Sequence, residues 1–151
     1  MLSPQRLNLR SPNRRRMKPN NVIFLKCTRD SFYRAWLEIL TPWHKLSSRE
    51  RDVAARIIAQ YFKLKESIKD PEVLKELLWS NTSRKDIRES LGMSQAHFQM
   101  ILAKLRTNGV LVDGDINPKY IPHKTDDPRF MLSIVYDWSS VDDPIRPEGD
   151  A

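Results

Sequence analysis

The amino-acid sequence predicts a mainly α-helical fold closed by a small β-hairpin or sheet, with extended arms at its N- and C-terminal ends. Three observations carry this expectation. Apolar residues recur at helical spacing between Phe32 and Leu105, the spacing turns extended after Gly109, and charge and proline collect in the terminal segments. The expected organisation is a basic arm over 1–21, a folded domain over 22–138 and an acidic tail over 139–151.

A chain of 151 residues, 40% apolar and 30% charged, is long enough to bury one adequate core. No stretch approaches the roughly 18 apolar residues that a membrane helix needs, and no apolar signal region opens the chain. Cys27 stands alone, which excludes a disulfide within the chain and suits a reducing compartment. The net charge of +7 is unevenly placed. Residues 1–26 hold seven basic and no acidic side chains, and the remaining 19 basic residues are matched by 19 acidic ones. In the tail, Asp142, Asp143, Glu148 and Asp150 outnumber Arg146. The electrostatic footprint therefore lies mostly in the N-terminal arm.

In chain order, residues 1–21 are basic, rich in proline and without a period that would bury a face, so they are expected to be disordered in isolation. Arg14, Arg15 and Arg16 form a cationic run suited to phosphates or to an acidic protein surface. Val22–Leu25 reads as a short strand. Asp30 or Ser31 is positioned to cap a helix carrying Phe32, Trp36, Leu37, Ile39 and Leu40, which Pro42 ends. Trp36 and Trp43 are expected to pack rather than to form a stacking platform.

Leu46–Ile68 is the longest helix candidate. Ser47 or Ser48 starts it, Glu50 lies in its first turn, and Val53, Ile57, Tyr61 and Leu64 form an i, i+4 stripe. Asp70-Pro71 then restarts a helix bearing Val73, Leu74, Leu77, Leu78 and Trp79.

Ser83–Leu111 reads as two helices joined by a tight turn. Ser83, with Asp86 three residues on, is the expected first cap, and Ile87 and Leu91 share an inward face. Gly92 supplies a left-handed helix end, and Ser94 caps a second helix. In that helix Phe98, Ile101, Leu102 and Leu105 form the buried stripe, and Asn108-Gly109 stops it. Beyond it, Val110–Val112 and Phe130–Tyr136 read as strands, Asp113-Gly114-Asp115 as a turn, and the proline-bearing stretch from Ile116 to Pro128 as a loop.

The residues that usually mark an enzyme are missing. His44, His97 and His123 are scattered, Cys27 has no CxxC neighbour, and there is no phosphate-binding glycine loop or nucleophile elbow. No catalysis, no metal ion and no cofactor are expected.

Two elements, Leu46-Ser-Ser-Arg-Glu and Lys85-Asp-Ile-Arg-Glu-Ser-Leu-Gly-Met-Ser94, resemble the corresponding parts of LuxR-type and winged helix-turn-helix domains. The long separation between them and the extended segment after Gly109 favour the winged form. That resemblance, over roughly residues 46–136, implies a winged helix-turn-helix domain. The order of elements and the stretch from Gly109 to Pro122 are also similar to small helix-turn-helix-bearing proteins of crAss-like tailed phages. This implies a viral protein acting in the bacterial cytoplasm or carried in the virion.

Duplex DNA is the partner expected for such a domain. The outward residues of the second helix, Gln95, His97, Gln99 and Lys104, would face base edges, because helix N-terminal residues enter a major groove and glutamine can bond adenine twice. Arg84, Lys85 and Arg88 would hold phosphates from the preceding helix, with Arg14–Arg16 adding contacts from the arm. Asp113 and Asp115 argue the other way, since a wing that meets DNA backbone is usually basic. The alternative is a structural component of a phage particle, a ring or connector subunit, whose basic arm meets the acidic tail of a neighbouring copy or another particle protein.

Overall fold

The computed structural model describes residues 22–134 and Ser139. Its helices are α1 (Arg29–Ile39), α2 (Thr41–His44), α3 (Ser48–Lys65), α4 (Pro71–Leu78), α5 (Asn81–Ser90) and α6 (Gln95–Thr107). Strands β1 (Leu111–Val112) and β2 (Asp115–Ile116) follow as one antiparallel hairpin, and a short 3-10 turn spans Pro118–Tyr120. The fold is thus mainly helical with a small two-stranded hairpin. The chain divides after Ile121 into two units. The described part of the second unit, residues 122–134 and Ser139, contains no helix or strand.

Every helix but the four-residue α2 starts where a side chain satisfies backbone N–H groups that the helix leaves unpaired. Ser47 caps α3 by accepting from Glu50 N, while Glu50 Oε1 accepts from Ser47 N at 3.2 Å, a reciprocal pair worth about 1 kcal/mol. Asp70 accepts from Glu72 N ahead of Pro71, and Ser94 accepts from His97 N. Two expected caps move one turn earlier. Thr28, not Asp30 or Ser31, caps α1, with Ser31 returning the bond to Thr28 N at 2.8 Å. Ser80, not Ser83, caps α5, its Oγ accepting from Ser83 N at 3.2 Å, and Ser83 itself is buried. The long helix also ends earlier than expected, at Lys65 rather than Ile68.

Helices α5 and α6 finish in the same way. Met93 N donates to Arg88 O and Gly92 N to Glu89 O; Val110 N donates to Leu105 O and Gly109 N to Arg106 O. In each case a left-handed residue folds the chain back onto the last free carbonyls, and the buried side chain that follows, Met93 or Val110, seals the turn. Gly92 sits at φ +60°, which a residue with a Cβ adopts only under strain.

Helix α3 is the hub of the first unit and touches α1, α4, α5 and α6. Its Val53, Ala54, Ala55, Ile57 and Ile58 are buried, and Tyr61 and Leu64 pack at the margin. Ala54, Ile57 and Ile58 face Leu105 of α6 and Val110, Leu111 and Ile116 of the hairpin. Tyr33 and Leu37 come from α1, Leu78 from α4, and Ile87 from α5. Trp36 closes the unit at the far end, its Nε1 donating to Tyr120 O at 2.9 Å.

Other expectations fail for want of partners. Val22–Leu25 is not a strand; Ile23, Phe24 and Leu25 are exposed and form no ladder. Residues 130–134 are also outside any strand, and the rest of the expected Phe130–Tyr136 strand lies beyond the described residues. Trp43 is 53% exposed, because Pro42 and the left-handed Lys45 turn α2 so that His44, not Trp43, enters the core. On α4, Leu74 and Leu78 face inward while Val73 and Leu77 remain partly exposed.

Candidate nucleic-acid interface

Helix α6 is amphipathic in a way that separates two jobs. Phe98, Ile101, Leu102 and Leu105 lie three or four residues apart and are buried. Gln95, Ala96, His97, Gln99, Met100, Ala103, Lys104 and Arg106 are exposed. No acidic residue occurs between Ser90 and Val112, so the outer face of α6 carries only neutral and cationic groups. Among the described residues the side chains of Gln95, His97, Gln99 and Lys104 make no hydrogen bond or ion pair, so each is free to meet a ligand.

The turn that leads into α6 is held from outside. Arg49, in the first turn of α3, donates from Nη2 to Leu91 O at 2.7 Å, and its Nη1 lies 3.8 Å from Asp52 Oδ2. Asp52 is also bound by Arg34 Nε at 2.6 Å, so α1, α3 and the turn share one charged chain of contacts. This fixes where α5 ends and therefore where α6 begins. Arg49 was not among the expected site residues, and its role depends on a contact spanning 42 positions that no local pattern reveals.

The three cations of α5 are not equivalent. Arg84 is half-buried, with its guanidinium over the Trp79 ring at 5.8 Å from the ring centre, within cation–π range. Lys85 is exposed and lies 3.9 Å from Glu89, a surface pair of little energetic weight that leaves the ammonium available. Arg88 is half-buried, and its carbonyl accepts from Met93 N in the turn. Arg14, Arg15 and Arg16 lie outside the described residues.

The hairpin after α6 turns on Asp113 and Gly114, at φ 53° and 75°. Two positive φ values in a two-residue loop make the turn whose twist suits antiparallel strands, and Asp-Gly is a favoured pair for it. Asn117 zips the base, its N donating to Val110 O at 2.8 Å and its Nδ2 to Gly109 O at 2.9 Å. Asp115 does not project as a free acid. Its Oδ1 accepts from Trp79 Nε1 at 3.1 Å and from Ile116 N at 2.8 Å. Of the two acids expected to oppose a phosphate backbone, only Asp113 is left exposed at the tip, with Lys75 Nζ 3.4 Å from its carbonyl oxygen.

Among the described residues no three of His, Cys, Asp and Glu gather to hold a metal ion, and no helix is long and apolar enough to cross a membrane. His44 is buried as a structural group: Nε2 lies 2.7 Å from Leu37 O, and Nδ1 accepts from Leu46 N at 2.9 Å. Comparison with protein-family models, with curated proteins and with solved structures gives no match. The reading of this surface therefore rests on its own residues.

Proposed function

We propose that the chain is a non-enzymatic winged helix-turn-helix protein that binds duplex DNA, with α6 as the groove-entering helix, α5 as its support and the hairpin as the wing. One observation carries this reading. The outer face of α6 presents Gln95, His97, Gln99 and Lys104 exposed and uncommitted, with no acidic residue in the helix itself, on a helix anchored by four buried residues. A rigid helix with adaptable amide groups on its N-terminal turns, and a cation at Lys104 in its last turn, suits major-groove recognition. Lys85 and Arg84 stand one helix back, where contacts to phosphate would set the register. The role that fits the resemblance is that of a phage-encoded regulator. The test is fluorescence anisotropy of labelled random duplexes titrated with the full chain at two salt concentrations. Binding that weakens steeply with salt is the expected result, and no binding at low salt would overturn the reading.

The alternative, a particle component, is favoured by a different observation. Ile23, Phe24 and Leu25 are 88%, 74% and 64% exposed and directly follow the basic arm. Apolar side chains so exposed beside a charged arm suit a surface that a second protein covers. The solution mass of the full chain separates the two: a closed oligomer that ignores DNA would favour assembly.

A further inference from the structure

The outward face of α6 contains one feature that hydrogen bonding and charge leave unexplained. Met100 is 69% exposed, more than any other large apolar side chain on the described helices. Ala96 lies four residues before it and Ala103 three after, both exposed, so the three form one apolar crest opposite the buried stripe. Gln95 and Gln99, four residues apart, run along one flank of the crest, and His97 and Lys104, seven apart, along the other.

Resting on the DNA-binding role proposed for α6, we infer that this helix selects A·T-rich steps, with the two glutamines pairing with adenine and Met100 meeting thymine methyl groups. The chemistry of the groove divides the base pairs accordingly. Adenine offers N7 and N6–H2, which one glutamine amide bonds in two places, and its partner thymine projects a C5-methyl group into the same groove. Only thymine supplies an apolar surface there, so an exposed thioether flanked by alanines has a natural counterpart at A·T pairs. Alanine at 96 and 103 keeps the crest low enough for the helix backbone to approach. Guanine is read by arginine or lysine, and neither stands on the crest or among the N-terminal residues of its flanks, where only Gln95, His97 and Gln99 occur. Lys104 and Arg106 lie in the last turn, beyond the residues that enter a groove first. DNA rather than an acidic protein is the occupant that fits, because the flanks combine hydrogen-bonding amides with cations and no acid lies between Ser90 and Val112.

The experiment selects duplexes from a random pool with the full chain. The best binder is then remade with deoxyuridine in place of thymidine, which removes the methyl groups and keeps every hydrogen bond. An A·T-rich core in the retained pool is expected, with affinity falling about fourfold for each contacted methyl. The exposed-site variant Met100→Ala should bring the thymidine-to-uridine affinity ratio toward one. Equal affinity for the two duplexes, or a retained pool with no A·T enrichment, overturns the base preference and leaves the DNA reading standing. Retention of no duplex at any salt overturns the DNA reading itself. Loss of self-association in Met100→Ala, with no duplex retained by the wild type, would assign the crest to a second copy of the chain.

Discussion

Trp79 Nε1 donates to Asp115 Oδ1 at 3.1 Å, a bond across 36 positions that ties the end of α4 to the second strand of the hairpin. The same Trp79 ring lies under the Arg84 guanidinium. One indole therefore positions both the hairpin and a cation of α5. Asp115→Ala leaves a part-buried indole N–H without its acceptor, at a cost of about 1–3 kcal/mol. Asp115→Asn keeps an acceptor and should cost well under half as much. Chemical denaturation checks the totals, and amide exchange at Leu111 and Ile116 should show the loss concentrated in the hairpin.

The two faces of α6 should respond oppositely to truncation. Phe98 is almost fully buried, so Phe98→Ala is expected to lose about 3–5 kcal/mol. His97→Ala, one residue away and exposed, should stay within about 0.5 kcal/mol of wild type. Thermal unfolding of the pair provides the comparison. A wild-type melting temperature for Phe98→Ala would mean that the buried face is wrongly placed.

Acid should weaken the fold through His44. Burial, assisted by Arg51, holds its pKa below the ordinary value of 6.5, against the opposing pull of the Leu37 carbonyl and Glu38. The neutral ring donates to Leu37 O and accepts from Leu46 N, and a proton on Nδ1 would oppose that second bond. A lowered folded-state pKa means the contribution is complete above the unfolded value near 6.5 and is lost as pH falls through the folded value. Urea midpoints should therefore drop between neutral pH and mildly acidic pH. In His44→Gln, less stable throughout, that part of the slope should vanish.

Contacts from the arm and from α6 should be separable by their salt and sequence dependence. If the chain binds duplex DNA, removal of residues 1–20 should weaken binding at every sequence and flatten the salt slope by about one for each lost phosphate contact. Gln95→Ala and Gln99→Ala should instead reduce the difference between preferred and random duplexes. Glutamate at Arg14, Arg15 and Arg16 together distinguishes the rival role: it should block assembly of a particle component while leaving the domain folded.

Much of the helical layout was readable because its signals are local. Asp70-Pro71, Ser47 with Glu50, Gly92 and Asn108-Gly109 each act within a few residues of the helix end they define. Local spacing places the cap of α5 one turn late, at Ser83 rather than Ser80, because Ser83 is itself a capping type and its burial, which takes it into the helix, depends on the core rather than on local spacing. Val22–Leu25 carries strand propensity but has no edge to pair with, and propensity contains no information about partners. In the candidate interface, periodicity correctly separated the buried and exposed residues of α6. Arg49, Trp79 with Asp115, and Trp36 with Tyr120 join positions too distant in sequence for any pattern to connect.

The bond from Trp36 to Tyr120 has a kinetic consequence. It spans 84 positions and joins the first described helix to the last ordered turn of its unit. A contact between such distant points closes only after the intervening chain has condensed, so it should be absent from the folding transition state. Weakening it should leave the folding rate nearly unchanged and speed unfolding. During synthesis the bond between the Trp36 indole and Tyr120 O can close only after the hairpin and Tyr120 have left the ribosome.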